Sequence, residues 1–138
     1  MMRRWAQEGG EATVEFVGLV FLLVVPVVYL VVSLAQVQGA LFAAEAGARE
    51  ASRILAEDSG DEARALAQIG LAFDDFHVAS SPRTSFGCRV CSGPDRDVEV
   101  EVSVLVPLPF VPRWAQTRLA IPVKARSATL VEGVRLDE

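Results

Sequence analysis

The chain has 138 residues, which is room for one small domain, and 51% of them are hydrophobic. A mean hydropathy of +0.34 is high for a soluble protein of this size and points to a membrane segment. The formal net charge of −5 at pH 7 argues against a nucleic-acid partner, because neutralising phosphates requires clustered Lys and Arg in excess.

An acid near the N-terminus is the most informative local feature. Glu15 and Phe16 follow Gly10 after four residues, and Phe16 opens a long apolar run. An uncompensated carboxylate at the entrance of a membrane helix costs about 1 to 3 kcal/mol, so it needs a partner. Glu15 either interacts with the positive end of the helix dipole, or a peptidase cuts between Gly10 and Glu11. In the second case the new α-ammonium of a neighbouring subunit neutralises Glu15 and holds the helices in register.

The apolar run predicts a membrane-spanning helix. Residues 16–44 include no side chain that is charged at neutral pH, and about 20 apolar residues are enough to cross a bilayer as a helix. We assign the span to residues 11–37. Its valines favour strands in water, but in lipid a helix is needed to satisfy the backbone hydrogen bonds. Pro26 removes one of those bonds and is predicted to bend the helix.

The charges beside the span predict its orientation. Arg3 and Arg4 on the short N-terminal side place the N-terminus in the cytoplasm and the C-terminal head outside the cytoplasmic membrane. A cleavable secretory signal peptide is the alternative, with small residues for a cleavage site at Ser33, Leu34 and Ala35. The apolar run exceeds the roughly 7 to 15 residues of such a signal, which favours a retained anchor.

Beyond the membrane the helix is expected to continue over residues 38–58. Small and apolar side chains recur there at spacings of three and four. They are Leu41, Ala44, Ala48, Ala51 and Leu55. This stripe packs either on the head of the same chain or against another subunit, and the sequence leaves both open. Glu45 with Arg49, and Arg53 with Glu57, lie one turn apart and are expected to pair on the exposed side.

Residues 59–138 are expected to form a small extracytoplasmic head. Ser59, Asp61 and Glu62 fit a capping box that starts a short second helix. That helix is predicted to end near Ile69, with Gly70 as its terminator.

The rest of the head alternates with period two and predicts an antiparallel sheet of three or four strands. The strands are assigned to residues 76–78, 97–106 and 118–130, of which the last two form a hairpin. Charge pairing suggests its register: Glu101 opposite Lys124 and Glu99 opposite Arg126, with Val102 opposite Val123 and Val104 opposite Ile121. Pro122 lacks an amide hydrogen, which indicates an edge position or a bulge. The fold class is therefore α+β, with a long N-terminal transmembrane helix, a short second helix and a small antiparallel sheet.

Two cysteines offer the chain's main candidate for chemistry. Cys88 and Cys91 enclose two residues in a stretch rich in Gly, Ser and Pro, whereas catalytic dithiols lie at a helix N-terminus that lowers one thiol's pKa. In an oxidising compartment a short-loop structural disulfide is expected, with a secreted thiol oxidoreductase as the alternative. The single His77 has no catalytic partner in a recognised spacing, and it cannot complete a zinc site with two thiols. We therefore expect no enzymatic activity, no metal and no other cofactor.

The connection between the last two strands carries large aromatic side chains. Residues 107–115 include three prolines, Phe110 and Trp114, which predicts a stiff projecting loop. The two rings either contact a partner or fill the bottom of the head. Since a head of about 80 residues has little core of its own, burial is the favoured interpretation.

The N-terminal pattern is similar to the processing site of type IV pilins and pseudopilins. Gly10, Glu15 and Phe16 carry this likeness, together with the apolar helix behind them. Within that superfamily, residues 12–16, the Ala-rich stretch 43–51 and the C-terminal strand pair resemble the TadE-like minor pseudopilins of the tight-adherence (Flp pilus) system. The similarity spans nearly the whole chain.

The resemblance implies a structural function in the assembly of an adhesive pilus. It implies that residues 1–10 are a leader removed by a prepilin peptidase at the bond between Gly10 and Glu11, and that Glu15 and Phe16 set the register between subunits. The implied partners are other pilin or pseudopilin subunits, the pilus assembly machinery, the peptidase and membrane lipid. A permanently anchored single-pass protein that binds a partner through the loop of Phe110 and Trp114 is an alternative.

Overall fold

The computed structural model describes residues 8–131, except for the side chains at positions 8, 9 and 11. Arg3, Arg4 and most of the predicted leader lie outside this part. The described elements are, in chain order, α1 (Glu8–Glu57), α2 (Glu62–Asp75), β1 (Arg83–Gly87), β2 (Asp97–Pro107), α3 (Arg113–Gln116) and β3 (Ala120–Leu130). The chain divides into two compact units, one ending at Leu34 and the other starting at Ala35. The predicted α+β class is confirmed.

The first unit is helical throughout its described length. It belongs to α1, and Pro26 lies inside the helix without ending it. The hydroxyl of Ser33 donates to the carbonyl oxygen of Tyr29 over 2.8 Å. This bond satisfies a polar side chain within the helix's own backbone, which suits apolar surroundings.

In the second unit, residues 35–57 of α1 pack against the sheet and α2. The predicted stripe is buried except at Leu41, which is 36% exposed, and the neighbouring Ala40 and Ala43 are buried in its place. The alanines join one core with Ile69 of α2 and with Val100 of β2. Of the two alternatives for this stripe, packing on the chain's own head is therefore the one observed. On the exposed side Glu45 pairs with Arg49 as predicted, at 3.9 Å. Arg53 instead contacts Glu50 at 3.5 Å.

Helix α2 begins where predicted but ends later. Asp61 is its N-cap residue, yet its side chain makes no capping hydrogen bond, so the predicted capping box is wrong. Gly70 does not terminate the helix, which continues to Asp75. Ala65, Ile69 and Phe73 are buried at spacings of four. Burial of this apolar stripe outweighs the roughly 1 kcal/mol that a glycine costs inside a helix.

The strand predicted at residues 76–78 is absent from the described structure, because these residues close α2. His77 has a φ of 55°, and its N–H donates to the carbonyl of Asp74 over 3.0 Å. The N–H of Val78 reaches the carbonyl of Phe73 over 2.9 Å. These two bonds around a left-handed residue form a Schellman motif, in which glycine is the usual residue. A histidine here gave no sequence signal for the helix end.

The three strands form one antiparallel sheet in the order β1-β2-β3. The predicted apolar face of β2 is confirmed: Val100, Val102, Val104 and Val106 are buried. On β3, Val123 and Ala125 are buried, whereas Ile121 is 38% exposed and Leu119, just before the strand, is 50% exposed. Pro122 lies on an edge strand, as expected.

The predicted hairpin forms, but its register differs by two residues. Glu101 faces Arg126, and Lys124 faces Ser103. A shift of two keeps every side chain on its predicted face, because side chains alternate with period two. In the observed register Arg126 contacts two acids, Glu101 and also Glu99 at 3.3 Å. The predicted register paired each acid with a different base and so did not include an arginine that contacts both acids.

Candidate functional site

Most of the exposed large apolar side chains of the described chain belong to the first part of α1, up to Leu34. It is long and apolar enough to cross a membrane, and none of its most apolar window is buried within the described protein. Phe21, Leu22 and Leu23 are 62–78% exposed. Soluble monomers rarely expose contiguous apolar patches larger than a few hundred Å². This surface therefore fits a single-pass membrane anchor.

The predicted processing site lies in the first turn of α1. Gly10 is the third residue of the helix and is exposed, and a Cβ added there would have no described neighbour within 4 Å. Glu11 follows in the helix, and its side chain is outside the described structure. The first four N–H groups of a helix have no intrahelical partner, and helix ends fray. Local opening around the bond between Gly10 and Glu11 therefore disturbs little of the helix.

Glu15 and Phe16 both point away from any other part of the described protein. Glu15 is exposed, and Phe16 is 67% exposed. No basic residue follows Glu15 until Arg49, and none of the described cations lies within ion-pair distance of its carboxylate. Within the part of the chain described, the charge of Glu15 has no compensating cation. An acid at this position is costly wherever this end of the helix lies in lipid.

Cys88 and Cys91 form a disulfide in the exposed connection between β1 and β2, with their Cα atoms 5.2 Å apart. Asp97 organises this loop, since its Oδ1 accepts the N–H groups of Arg89 at 2.8 Å and Val90 at 2.7 Å. The bond from Val90, with that from Arg89 and its guanidinium, holds the pKa of Asp97 below its ordinary value. The described loop contains no helix N-terminus that would activate a thiol. This geometry fits a loop staple.

Phe110 and Trp114 are not buried, so the favoured interpretation of their loop is wrong. They are 89% and 83% exposed. The short helix α3 turns Ala115 inward instead, and Ala115 is only 6% exposed. The two aromatic rings remain on the outside of the second unit.

No protein-family model, curated protein or solved structure matches this chain. Function must therefore be inferred from the chemistry and geometry of the chain itself. Among the described residues, no group of three or more His, Cys, Asp and Glu side chains is placed to hold a metal ion. His77 lies at the end of α2, where its Nδ1 is 3.2 Å from the carbonyl oxygen of Asp75.

A buried hydroxyl cluster was missed by sequence reasoning. Ser52 is fully buried and donates to the carbonyl of Arg49 over 2.8 Å. Its oxygen also lies 3.2 Å from the hydroxyl of Ser127 and 2.8 Å from that of Thr129. Two features of the sequence could have indicated this cluster. Ser52 lies among the buried alanines of α1, and the apolar face of β3 ends in Ser127 and Thr129. The cluster fixes the head on residues 35–57 of α1.

Proposed function

We propose that the protein is a membrane-anchored minor pilin or pseudopilin that takes part in assembling a tight-adherence (Flp) type pilus. One observation carries the proposal: the apolar segment of α1, residues 16–34, is largely uncovered in the described protein and directly follows the acid Glu15, five residues after Gly10. The small head packs on residues 35–57 of the same helix, and this arrangement supports the proposal.

The chemistry of the helix suggests how assembly would proceed. In the membrane, lipid covers the exposed valines and leucines of residues 16–34. When a subunit leaves the membrane, the same surface must be buried against other helices. Exposing it to water would cost about 25 cal/mol for each Å² of apolar surface. Cleavage after Gly10 creates an α-ammonium at Glu11. That cation on one subunit would compensate Glu15 of its neighbour and so select one axial register.

The fixed attachment of the head has a consequence for this assembly. Ser52 binds two hydroxyls of β3. At Gly47 the helix α1 packs tightly on α2, because a Cβ added there would lie 3.3 Å from the Cα of Ile69. Residues 35–57 and the head therefore form one unit. Any register imposed on this stretch of helix is passed directly to the head surface.

Mass spectrometry of the membrane-extracted protein tests the proposal. After co-expression with a prepilin peptidase, we expect a mature chain that begins at Glu11. A Gly10→Val variant should keep its full N-terminus, whereas Gly9→Ala, the matched control, should still be processed. An intact N-terminus in the wild-type chain would refute the proposal and favour the permanently anchored binding protein.

A second variant tests the proposed partner of Glu15. Glu15→Gln should be processed normally but should be lost from purified pilus fractions, because the ammonium of the neighbour then has no counter-charge. Glu45→Gln removes an exposed acid from the second unit and serves as the control, with recovery equal to wild type. Equal recovery of Glu15→Gln would rule out the register mechanism.

A further inference from the structure

The exposed apolar side chains of the second unit gather around one end of the sheet. We define the hairpin tip as residues 105–121, which connect β2 to β3. Five of its large apolar side chains are 38–89% exposed. They are Leu105, Phe110, Trp114, Leu119 and Ile121. An apolar surface of this kind on one end of a small head indicates a contact with something outside the described protein.

The contacts of α1 with β3 direct the hairpin tip toward the end of the second unit at which α1 enters it. The open end of the hairpin borders the end of α1, since Ala128 and Leu130 line the same cleft as Ala56 and Glu57. Ser127 is bonded to Ser52. From there β3 runs back for seven residues to its start, about 23 Å at 3.3 Å per residue. The same distance along α1 covers about 15 residues and leads to the start of the second unit.

The end of α2 lies at the same level. Phe76 contacts Phe42 of α1 with ring centroids 6.3 Å apart, and its carbonyl oxygen lies 3.9 Å from the position of a Cβ at Gly39. Both rings are about half exposed, at 43% and 54%. The end of α2 thus lies beside Gly39 and Phe42, near the start of the second unit.

The charge of the tip is opposite to that of the whole chain. No acid occurs between Val102 and Val131, whereas Arg113 and Arg118 lie within the tip and are exposed. The chain as a whole carries a net charge of −5. Asp74 and Asp75 lie at the end of α2, so the basic character belongs to the hairpin tip alone.

We propose that the hairpin tip inserts into the outer face of the membrane that holds the helix and binds anionic phospholipid there. Tryptophan prefers the membrane interface, because its ring is apolar and its N–H remains hydrated. The two arginines extend their guanidinium groups to the phosphates while their stems lie along apolar side chains. The tip then acts as a second contact that fixes the head against the bilayer. The inference rests on the membrane anchor of the proposed function but does not require pilus assembly.

Quenching of tryptophan fluorescence by brominated phosphatidylcholine tests this contact in the full chain. The chain has two tryptophans, so Trp5→Phe leaves Trp114 as the only reporter. The control reporters carry Trp5→Phe, Trp114→Phe and one new tryptophan. Leu130→Trp tests the opposite end of the hairpin, and Phe21→Trp tests the anchor itself. All are reconstituted in vesicles of phosphatidylcholine and phosphatidylglycerol.

We expect brominated lipid to reduce the emission of Trp114 by more than half, with little change for Leu130→Trp. Replacing phosphatidylglycerol by phosphatidylcholine should weaken the quenching of Trp114. Quenching of Phe21→Trp with none of Trp114 would refute the inference while leaving the anchor intact. A Trp114 shielded from both brominated lipid and aqueous iodide would also refute it, since a protein, such as a second copy, then covers the tip. If Phe21→Trp also escapes quenching, the anchor and the proposed function fail together.

Discussion

The hydroxyl cluster at Ser52 offers the sharpest test of how the head is held on α1. A serine oxygen has one proton and two lone pairs. Since the proton of Ser52 goes to the carbonyl of Arg49, its lone pairs accept the protons of Ser127 and Thr129, at 3.2 and 2.8 Å. Both bonds join α1 to β3, and Ser52 is fully buried.

Ser52→Ala should therefore remove both bonds between the helix and the strand. A buried hydrogen bond contributes about 1 kcal/mol to stability, and two such bonds are lost. The hydroxyls of Ser127 and Thr129 are only half-buried, so that water can replace their lost partner. We expect the free energy of unfolding of the head to fall by about 2 kcal/mol. This corresponds to roughly 30-fold faster exchange of the backbone amides that open with the sheet.

Hydrogen exchange of the full chain in lipid nanodiscs measures this change at the amides of β2 and β3. The control is a double-mutant cycle with Thr129→Val, because the two substitutions together remove both ends of one bond. The combined loss should be smaller than the sum of the single losses by about 1 kcal/mol. Additive losses, or a loss below about 0.5 kcal/mol for Ser52→Ala, would show that the cluster does not bind the helix to the sheet.

Three further predictions concern packing and charge in the head, all measured by amide exchange of the full chain. Gly47→Val should destabilise the head by about 1 to 3 kcal/mol, because the valine side chain would overlap α2. The control is Gly70→Ala, whose new methyl group meets open space and should stabilise the head by up to about 1 kcal/mol. Equal effects of the two substitutions would contradict the close packing at Gly47. Val102→Ala should cost about 2 kcal/mol, because the valine is fully buried, whereas Leu105→Ala, at a half-exposed site, should cost much less. The pKa of Glu101 lies below its ordinary 4.5, first because Arg126 donates a side-chain hydrogen bond to it and then because of the charge of Arg126. The ionised Glu101 stabilises the folded head fully above the pKa that this carboxyl has in the unfolded chain, and this contribution is lost as the pH falls through its lower pKa in the folded head. Lowering the pH below about 4.5 should therefore destabilise Glu101→Gln less than wild type.

The sequence predicted those parts of the fold that depend on local periodicity. The helix over residues 11–57, the buried valine face of β2 and the hairpin all follow from spacing, and the structure confirms them. Spacing failed where a tertiary contact decided the outcome. The end of α2 depends on the packing of Phe73 and on a left-handed His77. The register of the hairpin depends on one arginine shared by two acids.

The exposed aromatic loop shows a different limit. The sequence left two places for Phe110 and Trp114, a partner or the bottom of the head, and the small size of the head favoured burial. The structure fills that interior with valines and Ala115, so the rings remain outside. A hydrophobic pattern states that a surface will be covered, but it does not distinguish the chain's own core from lipid or a partner. Only the three-dimensional arrangement makes that distinction.

The same reasoning explains why α1 changes composition along its length. Large valines and leucines dominate its residues up to Leu34, and these stay exposed. From Ala35 onward the inward positions carry small side chains, Ala40, Ala43 and Ala44 among them, and these are fully buried. Small side chains let the sheet and α2 approach the helix closely, whereas large branched side chains present the greatest apolar area to lipid or to other helices. One helix thus carries two kinds of surface, and the change from large to small residues marks where packing against the chain's own head begins.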